Sequence, residues 1–179
     1  MLLSHPITLA KPIVLIGMMG CGKSAIGALL AKELDIPFAD ADQCIESQMG
    51  MPVSQIFEAH GEPYFRQKEY EVIDRLLHEN KQVIAVGGGA FIQPSVRTLI
   101  KQHATSIWIR AAFDILLERV SRKHHRPLLE KGDKGAILKA LMEDRYPVYA
   151  EADMIIDTTA GPHEVVVTRI IEQLTKGLK

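Results

Sequence analysis

The sequence predicts an α/β fold, a five-stranded parallel sheet with helices on both faces. Three observations predict it. Short apolar, β-branched runs alternate with longer segments whose apolar residues recur at helical spacing. The first run leads straight into a glycine-rich loop and then a helix. The chain has 179 residues, enough for one domain (1–179) with a proper core, and it contains no internal repeat or low-complexity tract.

The elements follow in order. Pro12 to Ile16 is apolar and β-branched, a buried first strand. Ala25 to Leu34, rich in Ala and Leu, is the first helix. Ile36 to Ala39 is a short second strand, and helices are expected over Asp42–Met49 and Pro63–His78. Gln82 to Val86 is the third strand and stops at Gly87-Gly88-Gly89. A helix over Pro94–Gln102 leads to the fourth strand, Thr105 to Ile109, and a helix over Phe113–Ser121 follows. Ser121 to Gly135 is charged, lacks apolar periodicity and carries Gly132 and Gly135, so a flexible lid is expected there. A helix over Ala136–Ala150, a fifth strand at Met154–Ile156 and a helix over Pro162–Leu174 complete the chain.

Between the first strand and first helix lies Gly17-Met18-Met19-Gly20-Cys21-Gly22-Lys23-Ser24, which fits G-x-x-x-x-G-K-[ST], the phosphate-binding P-loop. Glycines let the backbone curl until successive N–H groups point at phosphate oxygens. The helix N-terminus adds free N–H groups and a positive dipole end. Lys23 supplies a point charge for the β- and γ-phosphates, and the Ser24 hydroxyl is a ligand for Mg²⁺. Gly20, Cys21, Gly22, Lys23, Ser24 and Ala25 are therefore the expected contacts of a nucleoside triphosphate, with Mg²⁺ as cofactor.

Composition narrows the partners. A net charge of -1 gives no basic field for nucleic acid, and no apolar run approaches the length of a bilayer span. Met1 to Lys11 lacks the charged and apolar regions of a signal peptide, and Cys21 and Cys44 make no disulfide framework. A reduced, cytoplasmic protein is expected. Cys21 reads as a small residue filling a loop position. The absence of an exposed apolar heptad favours a monomer.

In open parallel sheets, ligands bind beyond the carboxyl ends of the strands. Asp40-Ala41-Asp42 follows the second strand, Gly87-Gly88-Gly89 the third and Arg110 the fourth. Of the carboxylate pair, one can hold Mg²⁺ or its waters and the other can accept a substrate hydroxyl. Asp42 alone would read equally well as the cap of the next helix. Arg66 lies between Glu62 and Glu69 at i−4 and i+3, Arg145 precedes Tyr146-Pro147, and Arg126 precedes Pro127-Leu128-Leu129 in the expected lid. Two guanidiniums can grip a carboxylate, and a third on a lid can neutralise a transferring phosphoryl group.

Taken together these motifs resemble the shikimate kinases. The resemblance runs from about Ile13 to Leu174 and rests on the P-loop, Asp40-Ala41-Asp42, Phe65-Arg66 with Glu69, the triple glycine, Arg126-Pro127-Leu128-Leu129, and Arg145 with Pro147 and Tyr149. It implies a three-layer P-loop kinase fold with a substrate-binding region near 40–80 and a lid near 121–135. The implied reaction is transfer of the ATP γ-phosphate to the 3-hydroxyl of shikimate, in the pathway to chorismate and aromatic amino acids. Shikimate would be held by Asp42, Arg66, Gly87, Gly88, Gly89 and Arg145, Mg²⁺ by Ser24 and Asp40, and the transferring group by Lys23 and Arg126. Lys23, Asp42 and Arg126 would be catalytic. Arg119 matches a family position near adenine. Ala25 stands where Thr is common, and the loop 158–162 lacks the Arg or Asn that some members place near the base.

Other readings fare worse. No Asp has Gly three residues on and Asn80-Lys81-Gln82 ends in Val83, so the guanine signals of a GTPase switch are missing. A gluconate kinase would share the fold but gives no reason for Arg66 and Arg145 beside the triple glycine. A dead nucleotide-binding module would not keep the whole set. His124-His125 lack a nearby third ligand for a metal.

Overall fold

In the computed structural model the described residues are 9–122 and 132–177. They form one parallel sheet in the order β2-β3-β1-β4-β5. The strands are β1 (Ile13–Ile16), β2 (Phe38–Asp40), β3 (Val83–Ala85), β4 (Thr105–Ala111) and β5 (Met154–Thr158). The helices are α1 (Lys23–Leu34), α2 (Ala41–Met49), α3 (Val53–His60), α4 (Glu62–Glu79), α5 (Pro94–His103), α6 (Phe113–Arg122), α7 (Lys134–Tyr149) and α8 (His163–Gly177).

β1 lies between β3 and β4, pairing Leu15 with Ala85 on one side and with Ile107 on the other. All four of its residues are buried, as a strand covered on both faces by helices requires. The central position puts the loop after β1 at the middle of the sheet's carboxyl edge. The ends of β2 and β3 then lie to one side of that loop, and those of β4 and β5 to the other.

Two expectations need correction. No helix was expected between Met49 and Pro63, yet α3 spans Val53–His60. It is eight residues long between Gly50 and Gly61, and only Ile56 is fully buried, so its apolar signal is short. Arg110 is also no loop residue. It lies inside β4, opposite Asp157 of β5, and the pair makes two hydrogen bonds of 2.6 and 2.9 Å. That ion pair spends Arg110 on the sheet, and it does not line the cavity described below.

Candidate active site

The phosphate loop is set by its glycines and by Lys23. Gly22 is the N-cap of α1 and has φ 99°, a left-handed conformation that glycine adopts without steric cost. Lys23 Nζ donates to the carbonyls of Gly17 at 2.8 Å and Met18 at 3.1 Å, which holds its charge over the loop. Cys21 is buried, as a loop-filling residue should be. Arg119 reaches across from α6, donating to the carbonyls of Gly20 and Cys21 at 3.3 and 3.2 Å and to Thr159 at 2.9 Å. A cavity of about 470 Å³ opens here, lined by Lys23, Ser24, Asp40, Asp42, Gly88 and Arg119 among others.

Asp40 and Asp42 divide the two roles that sequence left open. The helix cap is Asp40, not Asp42. One Asp40 oxygen accepts the N–H groups of Asp42 and Gln43 at 3.1 and 3.2 Å, capping α2. Its other oxygen accepts the Ser24 hydroxyl at 2.6 Å. Two hard oxygen donors thus converge beside Lys23, a donor set suited to Mg²⁺. Among the described residues no group of three His, Cys, Asp or Glu could hold a metal ion alone. That fits a cation that takes most of its ligands from phosphate and water.

Asp42 is left free for chemistry. Its Oδ1 is buried with no hydrogen-bond partner among the described residues. Burial, and then the neighbouring Asp40, push its carboxyl up to about 6.

The triple glycine serves as a row of seats. A Cβ on Gly87 would lie 3.0 Å from Asp42 Oδ1, on Gly88 3.0 Å from Arg145 Nη1, and on Gly89 2.5 Å from Arg66 Nη2. Each predicted substrate-binding side chain therefore rests on one glycine of the row. Gly89→Ala is expected to displace the Arg66 guanidinium and raise the KM of the acceptor about tenfold with little change in the KM of ATP. Steady-state kinetics with each substrate varied in turn reads this.

Arg66 is held from several directions. Its Nη1 donates to Glu69 at 2.7 Å, its Nε to Glu62 at 3.3 Å, and its guanidinium lies 5.3 and 6.0 Å from the ring centres of Phe65 and Phe57. This is not a decorative surface pair, because the Glu69 side chain is 0% exposed. Sequence reasoning gave Glu69 no site role, and its burial is what supplies one. Phe57 belongs to the unexpected α3.

Arg145 arrives on the last turns of α7. Those turns are pinned: the Tyr146 hydroxyl donates to the Ala111 carbonyl at 2.6 Å, and Tyr149 donates to the Gly88 carbonyl. Trp108 packs edge-on against Tyr146 with ring centres 4.8 Å apart. Among the described residues no carboxylate pairs with Arg145, so its guanidinium remains available to a bound anion. Arg126, the lid arginine of the sequence reading, lies outside the described residues.

Burial also pushes Glu69 up, to about 7, and the Arg66 contact offsets this only in part. Both carboxyls are raised, so both favour the folded state when protonated. Their contribution to stability is full below the ordinary carboxylate range and is lost as pH rises through about 6 to 7. Asp42→Asn is thus expected to stabilise the fold at pH 8 by ~1–3 kcal/mol and to leave it unchanged near pH 3. Urea unfolding at the two pH values measures the difference, and equal effects at both would refute a strained Asp42.

Comparisons with known proteins point to one family. The family model described as shikimate kinase matches residues 19–175. The chain is 46% identical over 164 residues to the shikimate kinase of Rhodopseudomonas palustris, covering 92% of this chain and 81% of that one. It is 47% identical over 165 residues to the shikimate kinase of Caulobacter vibrioides, covering 92% and 82%. Among solved structures, shikimate kinase from Acinetobacter baumannii in complex with shikimate superposes with a TM-score of 0.91 at 33% identity, covering 96% of each chain. A gluconokinase from Sinorhizobium meliloti shares the fold alone, with a TM-score of 0.59 at 17% identity over 93% of this chain and 92% of that one.

Proposed function

The chain belongs to the shikimate kinase family, and on that premise we propose that it transfers the γ-phosphoryl group of ATP to the 3-hydroxyl of shikimate. The single observation that carries this reading is the glycine row. It seats one carboxylate and two guanidiniums, from α2, α4 and α7, at one side of a phosphate loop. A ligand bearing both a carboxylate and hydroxyls answers that arrangement.

Arg66 and Arg145 grip the carboxylate of shikimate. Asp42 accepts its hydroxyl proton and fixes the oxygen toward the phosphate loop. Lys23 neutralises charge on the β- and γ-phosphate oxygens as the bond to the leaving oxygen breaks. Ser24 and Asp40 would hold Mg²⁺, which supplies charge neutralisation across the phosphates when bound. Arg119, bonded to both the phosphate loop and the carbonyl of Thr159, stands on the nucleotide's side of the cavity. Arg126 is proposed to cover the transferring group. The chain is proposed to act as a cytoplasmic monomer; no described helix is long and apolar enough to cross a membrane.

Asp42 must be ionised to accept a proton. With its carboxyl raised to about 6, kcat/KM for shikimate is expected to fall as pH drops through about 6. An acid limb nearer pH 4 would show that another group governs. The product itself tests the reaction: ³¹P and ¹H NMR of a completed turnover should place the phosphate on the 3-hydroxyl of shikimate. Phosphate on another hydroxyl, or free phosphate alone, would contradict the proposal.

A further inference from the structure

Tyr149 ends α7 and is wholly buried, and its hydroxyl stands where the two halves of the site meet. It donates to the Gly88 carbonyl and lies 3.9 Å from Met18 Sδ in the phosphate loop. A Cβ on Gly88 would meet Arg145 Nη1 at 3.0 Å, the Gly17 carbonyl oxygen at 3.5 Å and this hydroxyl at 3.6 Å. The Gly17 carbonyl is one of the two that hold Lys23. One buried oxygen therefore adjoins the acceptor's arginine, the middle glycine of the row and the loop that carries the phosphate lysine.

Its polarity needs a reason. The ring packs near Trp108 and Tyr146, with centres 5.8 and 6.2 Å away, and a phenylalanine would fill that space as well. Burial pushes the phenol well above its ordinary range, so it stays protonated and always donates. The donated bond goes to Gly88, which leaves the lone pairs of the oxygen for Arg145, whose charge and hydrogen bond offset part of the burial. Arg145 has use for such a stop. Pro147 lies inside α7, and a proline removes a rung of the helical ladder and crowds the turn before it. That turn carries Arg145. Tyr146 fastens it to β4, and Tyr149 fastens it to the glycine row.

We propose that Tyr149 is a positioning residue for the acceptor, its hydroxyl fixing the Arg145 guanidinium against Gly88 and so setting where the acceptor carboxylate lies relative to the phosphate loop. The proposal rests on the kinase reading. Tyr149 touches no substrate in it and moves no proton. Loss of the hydroxyl frees the guanidinium to swing and leaves the Gly88 carbonyl unpaired, while Lys23 and Ser24 keep their partners.

Steady-state kinetics with each substrate varied in turn tests this. Tyr149→Phe keeps the ring and removes only the oxygen. It should raise shikimate KM about tenfold and leave ATP KM within about twofold of the wild type. A double-mutant cycle shows whether the hydroxyl acts through Arg145. In an Arg145→Ala background, Tyr149→Phe should add less than about twofold to shikimate KM. An unchanged shikimate KM in the single variant, equal rises in the two KM values, or effects that multiply in the double variant would each overturn the assignment. Wild-type enzyme carrying ¹³C at the tyrosine Cζ gives a reading that no folding defect can cloud. The Tyr149 signal, assigned by through-bond correlation, should shift when shikimate is added, because the carboxylate draws on the same guanidinium. A signal unmoved at saturation would also overturn the proposal. Wild-type protein that neither bound nor phosphorylated shikimate would instead sink the kinase reading itself.

Discussion

Lys23→Ala is expected to lower kcat by on the order of 10³, the scale for removing a preorganised donor that faces developing charge. The structure gives the reason for so large an effect. Lys23 Nζ is held by the Gly17 and Met18 carbonyls at 2.8 and 3.1 Å, so its charge is positioned over the loop before substrate arrives. Among the described residues no other Lys lines the cavity, the guanidinium of Arg119 is committed to three backbone carbonyls and that of Arg122 to Glu118. Steady-state kinetics at saturating shikimate measures the change, and the thermal midpoint should move little because only three part-buried hydrogen bonds of one side chain are lost. A kcat within tenfold of the wild type would remove Lys23 from the chemistry.

Arg66→Ala is expected to raise shikimate KM between about thirtyfold and a few thousandfold, the equivalent of 2–5 kcal/mol for breaking a buried charged contact. ATP KM should change far less. Two effects add. The substrate carboxylate loses one of its guanidiniums, and Glu69, 0% exposed, loses its counter-ion at 2.7 Å. Glu69 then takes up a proton more readily, which limits the loss of stability and moves its titration upward. Arg66→Lys should recover only part of the affinity, because an ammonium cannot make the planar contacts to Glu62 and Glu69 together. Equal rises in the two KM values would mean that the site had collapsed rather than lost a grip.

What the sequence made legible depended on how local the signals were. β1, the phosphate loop and α1 reinforce one another within some twenty residues, and each was placed correctly. α3 was not, because Ile56 and Phe57 between two glycines give too short a pattern, and the worth of Phe57 depends on Arg66 stacking over it. Asp40 and Asp42 were visible as a pair, but only backbone geometry shows that the first caps α2 and the second stays unpartnered. The same limit explains Arg110. It follows an apolar run, and strand register alone reveals that Asp157 claims it. The triple glycine was legible as a turn. Its use as three seats for Asp42, Arg145 and Arg66 depends on side chains that come from three separate helices. Tyr149 was legible only as part of the family pattern, since the use of its hydroxyl comes from Gly88 and Met18, far away in the chain.

The central claim is that this site transfers phosphoryl groups to shikimate and discriminates by carboxylate grip and hydroxyl placement. A coupled assay of ADP release, run with Mg²⁺ and ATP against shikimate, quinate, gluconate and water, tests it most directly. Fast turnover is predicted with shikimate alone, with the other three near the background rate. Comparable rates with gluconate or with water would contradict the account.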